Sequence, residues 1–284
     1  MSTTIDVTRA PEADDAPAGR GAPRARGRLG DRLLLGYVWL ILAWLFLPIV
    51  VMIVFGFNDT QSKSNVTWQG FTLQWWGRLD EYPQLIEAVR NSVVVALLST
   101  VITTLLGTLM GLALGRYRFR GQGATNLVMF AAIASPELVM GASLLSLFVS
   151  LGVQTGFATV VVAHVLFSLS FVAITVRARV IGLDRSIEEA ARDLGASTWT
   201  TFRLVTFPMI LPGVVSGALL AFALSIDDFV ITQFTSGAFQ TFPLWIWGAT
   251  RIGVPPQVNV IGTLIFAVGV AIAVVNTVTA RRRT

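Results

Sequence analysis

Long apolar runs alternate with short polar connections along most of the chain. Six runs stand out, at residues 33–57, 90–114, 125–150, 157–176, 206–232 and 258–279. A helix needs about 20 predominantly apolar residues to cross a bilayer, and each run reaches that length. The first, Leu33 to Phe57, would extend about 37 Å as a helix, enough to span with tilt. The pattern predicts an all-α polytopic membrane protein with six transmembrane helices. Pro136 lies inside the third run, where its missing N–H predicts a kink. Between the first two runs, residues 68–82 hold Trp68, Trp75, Trp76 and Tyr82 among polar residues, the pattern of a helix lying at the membrane interface. The 233–257 connection carries Trp245, Trp247, Pro255 and Pro256. For both segments interfacial anchoring is the plainer reading, and docking of an external partner the sharper one.

Small residues recur at helical spacing. Gly107, Gly111 and Gly115 are four apart in the second run, and Gly213 and Gly217 in the fifth. Such stripes let backbones approach closely, either within the chain or against a second subunit.

Charge placement orients the spans. Residues 1–32 are rich in Arg, Asp, Ala, Gly and Pro, and bury too little apolar surface to order themselves. This tail, the 115–124 and 177–205 connections and the C-terminus together hold 17 of the 21 basic residues. The alternate connections hold only Lys63, Arg78, Arg90 and Arg251. The positive-inside bias therefore places both termini and the two Arg-rich connections in the cytoplasm. The net charge of +5 thus follows topology rather than a nucleic-acid surface. The tail could touch anionic lipid, although solvated disorder is the simpler expectation.

Composition narrows the chemistry. The chain has 284 residues, 54% hydrophobic and 13% charged, against about 25% charged in a soluble domain. With no Cys and one His, thiolate and multi-histidine metal sites are excluded, and no metal site is expected. The single Lys, Lys63, has no Gly-rich phosphate-binding context, so ATP hydrolysis is not encoded here. No clustered acid–base constellation supports an integral-membrane enzyme.

The 177–205 connection is the most informative. Ser186 and Glu189 fit a capping box, Ile187, Ala190, Ala191 and Leu194 form one apolar stripe, and Gly195 suits a helix stop. A second short helix is expected over 197–207, before Pro208 opens the next span. The small Ala190-Ala191 surface suits a groove on another protein, or packing on its own bundle.

Glu189-Ala190-Ala191, three residues, Gly195, nine residues and Val205-Thr206-Phe207-Pro208 resemble the EAA loop of ABC importer permeases. That pattern ends in Ile-x-Leu-Pro. Val205 and Phe207 depart from it but keep the apolar bulk. Pro208 to Gly213, Ser216 to Phe222 and Ser225-Ile226-Asp227-Asp228-Phe229-Val230-Ile231-Thr232 are similar to the PotC/PotI type of spermidine/putrescine importer permease. The similarity covers residues 33–280. It implies a type I importer (MetI-like) permease domain over 33–284 in a bacterial cytoplasmic membrane. It also implies a second permease of the PotB/PotH type, an ATPase homodimer binding ATP and Mg, and an extracytoplasmic polyamine-binding protein. Glu189, Ala190, Ala191, Leu194 and Gly195 would then dock the ATPase. Related permeases carry ferric iron, thiamine or opines, the rival solutes.

Three acids lie in the runs: Glu137, Asp227 and Asp228. An ionised Asp near a bilayer centre costs about 2.5–3.5 kcal/mol on insertion scales, so such a group faces a wet cavity or a partner. Polyamines require carboxylates for their ammonium groups and aromatic faces for their methylenes. Glu137, Asp227, Asp228 and the adjacent Phe229 are therefore the candidate substrate path. As a helical pair, Asp227 and Asp228 would point about 100° apart. The structural alternative is pairing with Arg or capping a half-helix at a break. His164, alone in the fourth run, is expected to hydrogen-bond a neighbour rather than relay protons.

Overall fold

The computed structural model describes residues 28–281. The expected disordered tail up to residue 27 lies outside them. Helix α1 (Arg28–Phe55) begins inside the segment assigned to that tail, so Arg28 to Arg32 are helical. The chain divides into two compact units after Val51, and the first of them holds most of α1.

The second unit is helical, with one isolated antiparallel bridge between Asn58 and Phe71. Helix α2 (Pro83–Arg116) starts earlier than the second apolar run. Then come α3 (Gln122–Ala134), α4 (Glu137–Ser150) and α5 (Phe157–Ile181). The short α6 (Ser186–Asp193) and α7 (Thr198–Thr201) protrude between spans. Helix α8 (Phe207–Ile226) is followed by α9 (Val230–Thr235), α10 (Phe242–Ala249) and α11 (Pro256–Arg281). Among the described residues, five helical segments are long and apolar enough to cross a membrane. The sixth expected span is the α3–α4 pair, bent by 109° at its break.

That break is more than the expected kink. Pro136 disfavours helical backbone at the residue before it, and Ser135 is extended with ψ 130°. Helix α4 restarts with Pro136 at its N-cap.

The glycine stripe settles which surface it serves. A Cβ on Gly107 would lie 2.7 Å from Val172, one on Gly111 2.7 Å from the Ala173 carbonyl oxygen, and one on Gly115 2.8 Å from Val180. On α8, Gly213 would meet Arg179 at 2.8 Å and Gly217 Val172 at 3.1 Å. Small residues thus bring α2 and α8 against α5 inside this chain. Val172, Val176, Val180, Ile210 and Ala221 fill the resulting core.

No interfacial helix forms over 68–82. The segment folds into two 3₁₀ turns, Gln74–Gly77 and Leu79–Glu81. Trp75 and Trp76 donate through Nε1 to the carbonyl oxygens of Asn58 (2.8 Å) and Gly56 (3.1 Å). Both indoles satisfy backbone carbonyls of the loop that follows α1.

Candidate functional site

The fifth apolar run does not continue as one helix. It stops at Ile226 and resumes at Val230, so Asp227 and Asp228 sit at a break instead of on two faces of a helix. An Asp carboxylate competes for backbone N–H groups and favours a restart over continuation. Asp228 accepts from the N–H of Thr232 at 2.8 Å and, more weakly, from that of Ile231 at 3.4 Å. It also accepts from the Thr232 hydroxyl at 2.6 Å. At 8% exposure, Asp228 is buried and well supplied with internal donors.

His164 of α5 reaches the same point. Its Nε2 lies 2.8 Å from Thr232 Oγ1 and 3.3 Å from Asp228 Oδ2. Its Nδ1 lies 2.6 Å from Ser225 Oγ, which in turn is 3.0 Å from Ser99 Oγ of α2.

Asp227 has the opposite setting. Its side chain is exposed at the edge of a cavity of about 330 Å³, lined with Ile226, Phe242, Pro243, Ile246 and Ile265. Glu137 is exposed in the first turn of α4, and its charge interacts with both Asp228 and Asp227. Gly141, one turn later, sets α4 on α9: a Cβ there would lie 2.7 Å from the Phe234 ring. The breaks before α4 and after α8 thus place the three acids close enough for their charges to interact. Phe229 is half-buried and packs on Trp247 of α10, with ring centroids 5.2 Å apart. Arg251 sits 5.7 Å over the same indole. Exposed carboxylates near aromatic rings can receive an elongated cation.

The second region is the loop after α5, which keeps its helix to Ile181. The expected capping box is absent. Asp184 instead accepts from the Ser186 N–H at 2.9 Å, which with the Ser186 hydroxyl holds the Asp184 carboxyl below the usual range. Helix α6 ends in a Schellman turn. Ala196 N–H donates to the Ala191 carbonyl at 3.1 Å, and Gly195 N–H to that of Arg192 at 2.8 Å. Gly195 has φ +86°, the left-handed value this turn requires. Glu189, Ala190 and Leu194 are exposed, Leu194 at 89%, and Ala191 is half-buried. The apolar stripe of α6 therefore faces away from this chain's own helices over most of its length.

Glu188 is turned the other way and forms a mostly buried ion pair with Arg116 at the end of α2. It also accepts from Thr206 Oγ1 at 2.7 Å. Thr206 ends a stretch of π-helix, Phe202–Thr206, that feeds α8. A cavity of about 530 Å³ beside this pair is lined by Tyr117, Trp199 and Phe202 among others. Sequence reasoning missed Glu188, Arg116 and Thr206, and the partners of His164. The available signal was the Glu188-Glu189 pair itself: neighbours on a helix diverge by about 100°, so the two cannot share the docking face.

Residues 104–281 match the family described as the binding-protein-dependent transport system inner membrane component. The spermidine/putrescine transport system permease protein PotC of Escherichia coli (strain K12) is 38% identical over 257 residues, covering 90% of this chain and 97% of that protein. The putrescine transport system permease protein PotI of the same strain is 38% identical over 247 residues, covering 84% and 85%. Among solved structures, a bacterial ABC transporter involved in the import of the acidic polysaccharide alginate matches with a TM-score of 0.64. It shares 16% identity and covers 90% of this chain and 97% of its own. The chain belongs to the binding-protein-dependent transport system inner membrane component family.

Proposed function

We propose that this family member is the permease subunit of an ATP-driven importer of polyamines, spermidine or putrescine. The observation that carries the reading is its 38% identity, over nearly its whole length, to a permease of spermidine and putrescine. The acids at the two broken spans support the same solute class. Asp227 and Glu137 would offer carboxylates to ammonium groups and Phe229 an aromatic face to the methylenes, while Asp228 holds the break that presents them. A second permease of PotB/PotH type completes the path, and an extracytoplasmic binding protein delivers the solute.

Both termini and the α6–α7 loop face the cytoplasm in this reading. The exposed Glu189, Ala190 and Leu194, with the Gly195 turn, dock an ATPase homodimer that binds ATP and Mg. Closure of that dimer moves α6, and α6 moves the bundle.

The test is uptake of labelled spermidine and putrescine by the complex purified through this chain and reconstituted in vesicles. ATP-dependent, saturable accumulation is expected. Accumulation of ferric iron, thiamine or an opine in its place would overturn the solute assignment.

A further inference from the structure

We propose that His164 is a positioning residue that ties together the two ends of the broken fifth span and thereby fixes Asp227 toward the solute. The inference rests on the polyamine reading for its uptake test only.

The hydrogen-bond arithmetic carries it. Asp228, when ionised, can only accept. The Thr232 hydroxyl proton therefore goes to Asp228 Oδ2, at 2.6 Å, and leaves Thr232 Oγ1 to accept from His164 Nε2–H at 2.8 Å. The neutral imidazole then has Nδ1 free to accept, and Ser225 donates to it at 2.6 Å. Ser225 accepts in turn from Ser99 at 3.0 Å. The bonds join α2, α8 and α5 to the carboxylate just before α9 in one connected run, with Ser99 also within reach of the Ala96 carbonyl at 3.3 Å.

The positions matter as much as the bonds. Ser225 lies in the last turn of α8 and Thr232 in the first turn of α9. One ring on α5 thus grips both sides of a break where the backbone ladder is interrupted. Ser99, His164, Ser225, Asp228 and Thr232 are all buried, which prevents water from replacing the bonds. Asp227 lies between the gripped ends, and its carboxylate orientation at the cavity depends on that short backbone being held. A misplacement of about 1 Å in a binding group is enough for large losses in transport-type recognition, as it is in catalysis.

The experiment compares His164→Leu, His164→Gln and Thr232→Val in the assembled, reconstituted complex. Loss of interhelical hydrogen bonds within the membrane is a modest effect, so loss of the grip predicts a rise of up to about tenfold in the polyamine concentration for half-maximal uptake. The maximal rate should change less than the half-saturation value. His164→Gln, which keeps one donor and one acceptor, should recover most of the loss, and Thr232→Val should reproduce it. Unchanged half-saturation in His164→Leu, or equal impairment in His164→Gln, would overturn the proposal. If His164→Leu does not assemble, the contrast between His164→Gln and Thr232→Val decides alone.

A second readout needs no solute. The thermal midpoint of the purified complex should fall in His164→Leu and in Thr232→Val, and the double variant should fall by less than the sum of the two, because the bond between the two residues is counted in both. Additive lowering would overturn the chain of bonds. If the wild-type complex takes up no polyamine, the solute reading fails, while this measurement still decides the role of His164.

Discussion

An Asp inside an apolar span must find donors or face water, and the neighbours Asp227 and Asp228 take different solutions. Asp228 receives two backbone N–H groups and a hydroxyl, while Asp227 stands at an open cavity. Their substitutions should therefore fail differently. Asp227→Asn keeps the fold but removes the charge proposed to meet the solute; uptake should fall about tenfold or more, as when one partner of a charge pair is deleted. The thermal midpoint should stay near wild type. Asp228→Asn exchanges the charge-assisted bonds to the start of α9 for weaker neutral ones, a loss of about 1 kcal/mol, and should lower the midpoint as well as uptake. A lowered midpoint in Asp227→Asn with intact Asp228→Asn would reverse the assignment. The carboxylates were legible from their rarity in the apolar runs. Their division of labour was not, because it depends on where the backbone breaks and which carboxylate turns back on the next helix.

At the scale of elements, glycine has two distinct uses here. On α2 it permits contact. Gly111→Leu would drive a side chain into the Ala173 carbonyl, and overpacking costs about 1–3 kcal/mol. The measurement is thermal unfolding of the purified chain, and an unchanged midpoint would contradict the packing. At Gly195 the limit is backbone conformation, since a Cβ there meets nothing within 4 Å. Gly195→Ala should cost about 1–2 kcal/mol locally and should act mainly on coupling to the ATPase. The ion pair of Glu188 with Arg116 links α6 to α2, and Thr206 links it to the π-helical entry of α8. Breaking a buried pair by removing one partner costs about 3 kcal/mol. Glu188→Gln should therefore loosen α6, lowering uptake more than ATP hydrolysis, whereas Glu189→Lys should reduce ATPase co-purification. Equal loss of uptake and hydrolysis in Glu188→Gln would contradict the mechanical role. The helices themselves followed from the apolar runs, and the Schellman turn from Gly195. The break after Ile226 was legible only as an alternative, a half-helix capped by one of the two Asp residues, because Ile226, Phe229, Val230 and Ile231 keep the run apolar while one carboxylate redirects its backbone.

At the scale of the whole molecule, low charge content, Arg placement and the EAA-type loop describe a subunit rather than a machine. The Gly stripes are used up within the chain, so the second permease must be met by other surfaces. The α6 stripe is left exposed. The central claim is that this chain forms the path for a polyamine driven by a separate ATPase. Its most direct test is ATP-dependent accumulation of labelled spermidine or putrescine in vesicles holding the complex purified through this chain, compared with the same complex carrying Asp227→Asn. The account predicts saturable accumulation in the first and about a tenfold loss in the second. Accumulation indifferent to Asp227, or none while another solute is imported, would contradict it.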